Sequence, residues 1–221
     1  MTHTLTDYIR RQCVLLATLL LLIAIPSWAE PDNKASLPTL LVLGDSLSAG
    51  YGLSNLESGW VNLLQTALEQ DYRVVNASIS GETSAGGLAR LPALLQAHSP
   101  AILIVELGGN DGLRGYSLSQ LRSQLSDIIG LAKAQNIEVL LMEMQIPPNY
   151  GKRYTEKFTH LYTSLADEHK VQLIPFFLAQ LALQDGMMQA DGIHPTEAAQ
   201  PFMRDAVITG LKNLNLQPSN N

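Results

Sequence analysis

Ser46, Asp191 and His194 are the residue types of an activated nucleophile, and Gly81 and Asn110 are the types that could stabilise the charge it creates. A serine hydroxyl attacks a carbonyl only when a base removes its proton, an acceptor orients that base and preorganised donors meet the oxyanion. The chain offers one candidate for each role. Ser46, in Gly44-Asp45-Ser46-Leu47-Ser48, would be the nucleophile. His194, in Asp191-Gly192-Ile193-His194-Pro195, would be the general base that later protonates the leaving group, and Asp191 would fix its tautomer. The oxyanion donors would be the backbone N–H groups of Ser46 and Gly81 and the side-chain amide of Asn110, in Gly108-Gly109-Asn110-Asp111. Gly81 lets the backbone approach closely, and an amide cannot ionise. Singly, each block has a plainer reading: Ser46 as a helix cap, Asn110-Asp111 as a turn, His194 as a loop residue. Their conjunction points to acyl transfer.

Positioning such residues requires the loops of an ordered sheet. Thr39 to Gly44, Arg73 to Ile79, Ala101 to Leu107, Glu138 to Met144 and Val171 to Ile174 are short apolar runs of the kind found in parallel strands covered on both faces. Between them lie helical spacings. One is Leu118, Leu121, Leu125, Ile128 and Ile129, opened by Ser117 with Gln120 as a capping box; another is Tyr154, Phe158, Leu161, Tyr162 and Leu165. Strand and helix alternating in this way predict an α/β fold, a three-layer α/β/α sandwich around a flavodoxin-like five-stranded parallel sheet. In such sheets ligands bind beyond the carboxyl ends of the strands, which is where all four blocks fall.

The N-terminus stands outside that fold. Arg10 and Arg11, an apolar run from Val14 to Ile25 and small residues at Ser27 and Ala29 read as a secretory signal peptide over 1–29, cut after Ala29, with one domain over 30–221. The run falls short of the roughly 20 apolar residues that span a bilayer, so no lasting membrane anchor is expected, and a periplasmic or secreted location is. A single cysteine excludes an internal disulfide. With a formal net charge of −6 the whole-molecule field repels phosphate backbones, so no nucleic-acid partner is expected. No heptad or long amphipathic pattern asks for a partner chain; a monomer is expected, and nothing demands a metal or other cofactor.

The blocks resemble those of the GDSL or SGNH hydrolase family: Gly44-Asp45-Ser46-Leu47, Gly81, Gly109-Asn110-Asp111 and Asp191-Gly192-Ile193-His194, in order, spread over nearly all of residues 30–221. The resemblance implies a Ser46, Asp191, His194 triad, an oxyanion hole of Ser46, Gly81 and Asn110, and hydrolysis of acyl thioesters, aryl esters and lysophospholipids. Leu113, Tyr116, Ile146, Pro147, Pro148 and Tyr150, in the loops after the third and fourth strands, are expected to line an acyl groove or to seal the core edge there. A loop hinged at Gly112 and Gly115 could close over substrate. Other readings compete. The nearest is a short-chain carbohydrate acetylesterase. Next come a metal-dependent phosphoesterase gathering Asp45, Asp111, Asp191 and His194, and a non-catalytic small-molecule binding module. The stretch Gly44 to Ser48 lacks the closing glycine of a G-x-S-x-G elbow, and no P-loop pattern occurs. His98, His160 and His169 read as helix-face or surface residues. Glu106, inside an apolar run, must be hydrogen-bonded, exposed at the strand end, or protonated.

Overall fold

A computed structural model describes residues 37–176 and 178–214; the expected signal peptide lies outside the described residues. Five strands, β1 (Thr39–Gly44), β2 (Arg73–Asn76), β3 (Ile102–Glu106), β4 (Glu138–Met142) and β5 (Gln172–Ile174), form one sheet in the order β2-β1-β3-β4-β5. Every pairing is parallel. The central strands are apolar because both faces are covered: Leu40 to Leu43 and Ile102 to Val105 have no exposure at all. Each such aliphatic side chain contributes about 1.5–3 kcal/mol by leaving water.

The helices are α1 (Ser46–Ala49), α2 (Trp60–Ala67), α3 (Ser84–His98), α4 (Gly109–Leu113), α5 (Leu118–Lys133), α6 (Lys152–His169), α7 (Leu178–Leu181) and α8 (Gln200–Lys212). The chain steps from β1 to one neighbour and thereafter in the other direction. Right-handed crossovers therefore put α2 on one face and α3, α5 and α6 on the other. The packing agrees, with α3 against α5, α5 against α6, and α8 returning to α2. The direction reverses between β1 and β3, and the loops leaving those strands carry Ser46 and Asn110.

Local differences from the sequence reading have local causes. β2 ends at Asn76 because the Asn76 side chain turns to the Ser48 carbonyl and to the Ser78 N–H, opening a loop before Ile79. β4 ends at Met142, so Met144 lies past the sheet and faces the site. The capping box at α5 does not form: Ser117 Oγ makes a 2.8 Å hydrogen bond with Ser119 Oγ instead of capping the helix. No described helix is long and apolar enough to cross a membrane.

Candidate active site

Ser46 is the first residue of α1, immediately past β1, where Asp45 caps the helix by accepting from the Leu47 N–H at 3.1 Å. The serine hydroxyl is thus held at the carboxyl edge of a fully buried strand. His194 comes from the other end of the chain, on the loop between α7 and α8, and its Nε2 lies 2.9 Å from Ser46 Oγ. Its Nδ1 lies 2.6 Å from Asp191 Oδ2, while Asp191 Oδ1 accepts from the backbone N–H groups of Ile193 and His194 at 2.9 and 3.0 Å. The His194 N–H first, then the imidazole, then the Ile193 N–H, hold the Asp191 carboxyl down to about 2. An ionised carboxylate can only accept, so Nδ1 of the neutral imidazole carries the hydrogen and Nε2 is left to take the Ser46 proton.

On the oxyanion side, Asn110 sits in the first turn of α4 and donates from Nδ2 to Asp45 Oδ2 at 2.9 Å. That bond fixes which end of the amide faces the site, and the second Nδ2 hydrogen remains for a ligand. No acceptor among the described residues takes the backbone N–H of Ser46 or of Gly81. Gly81 has φ +79, a conformation glycine adopts without a steric penalty, and its carbonyl accepts from Arg114 Nη2 at 3.0 Å. Burial raises the Asp45 carboxyl, opposed by the hydrogen bonds it accepts from the Leu47 N–H and Asn110 Nδ2.

A cavity of about 380 Å³ opens beside these groups, bordered by Ser46, Asn110 and His194. Leu113, Ile146, Pro147 and Pro148 line it. Tyr116 and Tyr150 do not; they border a neighbouring surface groove. The Tyr150 hydroxyl donates to the Leu113 carbonyl at 2.8 Å, and Tyr154 donates to the Tyr116 carbonyl at 2.9 Å, so both tie down the 112–117 segment. Gly112, one of the two hinge candidates, is buried, and a Cβ there would come within 2.6 and 2.7 Å of Phe158 and Ile146. Asp111 serves elsewhere: both of its oxygens accept from Ser84, N–H and Oγ, at the start of α3. Among the described residues no three carboxylate, histidine or cysteine side chains gather closely enough to hold a metal ion.

Several contributors were not legible in the sequence. Tyr51 packs against His194 with ring centroids 4.5 Å apart. Gln189 Nε2 donates to the carbonyls of Tyr51 and Pro195, and its N–H donates to the His194 carbonyl, bracing the loop from one side chain. Met144, Phe176, Leu178 and Ala182 complete the apolar wall. None belongs to a motif. The only signal for Gln189 is its place just before Asp191, and for Met144 the continuation of the apolar run past β4.

A five-stranded parallel sandwich that carries a serine, histidine and carboxylate in hydrogen-bond sequence at its carboxyl edge is the architecture of a serine hydrolase built on a flavodoxin-like sheet. The chain belongs to the GDSL-like lipase/acylhydrolase family, whose model matches residues 42–200. It is 54% identical over 185 residues to Esterase TesA of Pseudomonas aeruginosa, covering 82% of this chain and 92% of that one. It is 51% identical over 182 residues to Thioesterase 1/protease 1/lysophospholipase L1 of Escherichia coli, covering 82% and 87%. The crystal structure of the psychrotrophic esterase EstA from Pseudoalteromonas sp., inhibited by monoethylphosphonate, superposes with a TM-score of 0.75 at 44% identity, covering 79% of this chain and 96% of that one. The family membership and these relatives make the chain an enzyme that hydrolyses esters.

Proposed function

We propose that the chain is an exported serine esterase acting on acyl esters and thioesters, with Ser46 as nucleophile, His194 as general base and Asp191 as its orienting carboxylate. The observation that carries this reading is the continuous path from Ser46 Oγ to His194 Nε2 at 2.9 Å and from His194 Nδ1 to Asp191 Oδ2 at 2.6 Å. Ser46 Oγ attacks the acyl carbon while its proton passes to His194 Nε2. The oxyanion is met by the N–H groups of Ser46 and Gly81 and by Asn110 Nδ2. Collapse expels the alcohol or thiol, which takes its proton from the imidazolium, and leaves an acyl-Ser46. Water, deprotonated by His194, then releases the carboxylic acid.

The cavity supports acyl groups longer than acetyl, since Leu113, Met144, Ile146, Phe176 and Leu178 form a wall an aliphatic chain can lie against. Thioesters and lysophospholipids enter as substrates through the name of the Escherichia coli relative. Export rests on the segment from Arg10 to Ala29, outside the described residues. The test is hydrolysis of p-nitrophenyl acetate and p-nitrophenyl octanoate by the purified protein and by Ser46→Ala, with chelator throughout. Octanoate turnover that the substitution abolishes is expected. Turnover that survives it overturns the triad assignment, and acetate turnover without octanoate turnover favours the acetylesterase reading.

A further inference from the structure

Glu106 is the last residue of β3, paired in register with Gly44 of β1, and has no solvent exposure. Its Oε2 accepts two hydrogen bonds from the segment that carries the nucleophile, one from the Asp45 backbone N–H at 3.1 Å and one from Ser48 Oγ at 2.6 Å. These donors flank Ser46. Gly44 makes the approach possible, because a Cβ at that position would lie 2.6 Å from Glu106 Oε2 and from Ser48 Oγ. Any larger residue would push the carboxyl out of its seat.

We propose that Glu106, as a neutral acid, is a positioning residue for ester hydrolysis: its Oε2 holds the Asp45 N–H before Ser46 and the Ser48 hydroxyl after it and, by fixing Asp45, sets the amide of Asn110 toward the oxyanion. The proposal rests on the Ser46 esterase reading. The neutral form follows from the surroundings. Glu106 forms no ion pair with any described residue, and its Oε1 has no hydrogen-bond partner among them. A bare carboxylate oxygen in a dry interior costs far more than a protonated one. The titratable side chains that interact with it are the Asp45 carboxyl on the β1 loop and the Tyr162 hydroxyl on α6, and neither supplies a positive charge. Burial first and the Asp45 charge second push the Glu106 carboxyl well above its usual range. Two adjacent buried carboxyls therefore divide their roles. The charge stays on Asp45, whose oxygens accept from the Leu47 N–H and Asn110 Nδ2, and the proton stays on Glu106.

Because Glu106 acts through other groups, its test separates positioning from support of the fold. Glu106→Gln keeps the acceptor oxygen and the volume, and is expected to retain most of the kcat on p-nitrophenyl octanoate. Glu106→Leu is expected to lower kcat about tenfold to hundredfold with little change in KM, a fraction of what an oxyanion donor is worth. Placed in an Asn110→Ala background, the leucine substitution should cost much less, since the group it positions is gone. Difference infrared spectra of the folded protein should show a protonated carboxyl band that Glu106→Gln removes, a reading that does not depend on whether the leucine variant folds. The proposal is overturned if that band is absent, if the glutamine variant is as impaired as the leucine one, or if Glu106→Leu costs as much without Asn110 as with it. Activity surviving in Ser46→Ala would sink the esterase reading itself. Loss in Ser46→Ala beside full activity in Glu106→Leu would sink only the role of Glu106.

Discussion

The two halves of the site are built in opposite ways. Ser46 and Asn110 sit on turns leaving β1 and β3, with Asp45, Glu106 and Ser48 buried behind them. Asp191 and His194 sit on a loop whose acid is 39% exposed at its side chain, held by hydrogen bonds, one ring contact and the buried Pro195. The nucleophile and oxyanion half is therefore part of the core's edge, where geometry is enforced by close packing. The base half is held locally: Asp191 Oδ1 closes its own loop through Ile193 and His194, a short Met188–Pro195 bridge joins the ends, and Gln189 ties the loop to Tyr51.

Halves built so differently should fail differently. The largest effects should be equal in activity: Ser46→Ala and His194→Ala are each expected to lower kcat by about 10⁴-fold or more, with the folded state intact by circular dichroism. A residual rate in either variant that matches the unsubstituted enzyme would remove that residue from the mechanism. Asp191→Asn should cost about 10³ to 10⁴-fold by allowing the wrong imidazole tautomer, while hardly changing Tm, because the group is exposed. A large Tm loss would show that the loop is more tightly integrated than its exposure implies. Since Asp191 titrates only at about 2, its carboxylate remains charged throughout the acid limb of the kcat/KM profile, and that limb should survive substitution of residues around Asp191 that leave it ionised. Next in size, Asn110→Ala should lower kcat by about 10²-fold. Smaller again, Gln189→Ala should cost roughly tenfold by loosening the loop, measured as kcat with KM nearly constant.

How far these halves could be read from sequence follows from the same contrast. The strands and the four blocks were legible because buried parallel strands are apolar throughout and because nucleophile, base and donor are rare residue types at marked turns. The roles of Tyr51 and Gln189 were not, since neither residue type signals chemistry and their contacts join positions far apart in the chain, Gln189 reaching back to Tyr51. The placement of Tyr116 and Tyr150 in a neighbouring groove was equally invisible: loop membership was readable, but the direction of each ring depends on the Leu113 and Tyr116 carbonyls that Tyr150 and Tyr154 seek out. Glu106 showed only that it needed a partner, a proton or an exposed place at the strand end. Which it has depends on Gly44, Asp45 and Ser48 meeting it across the sheet.

The smallest effect sharpens the buried half alone. Burial raises the Glu106 carboxyl in the folded state well above its ordinary value of 4.5, so between that value and the folded-state one the native protein holds a proton that the unfolded chain has released. Stability from this group therefore falls as pH rises through that window, and is fully regained only below it. Asp45, also raised by burial, adds a contribution of the same sign starting from 3.8. Glu106→Gln cannot titrate, so the Tm of the variant relative to the unsubstituted protein should climb steadily from mildly acidic to neutral pH. Asp191→Asn, which removes a carboxylate whose folded-state value is depressed, should instead show a constant difference over the same range, because Asp191 is ionised in both states there. Scanning calorimetry of the two variants across pH measures both slopes, and parallel slopes would erase the division between a protonated buried half and an ionised exposed one.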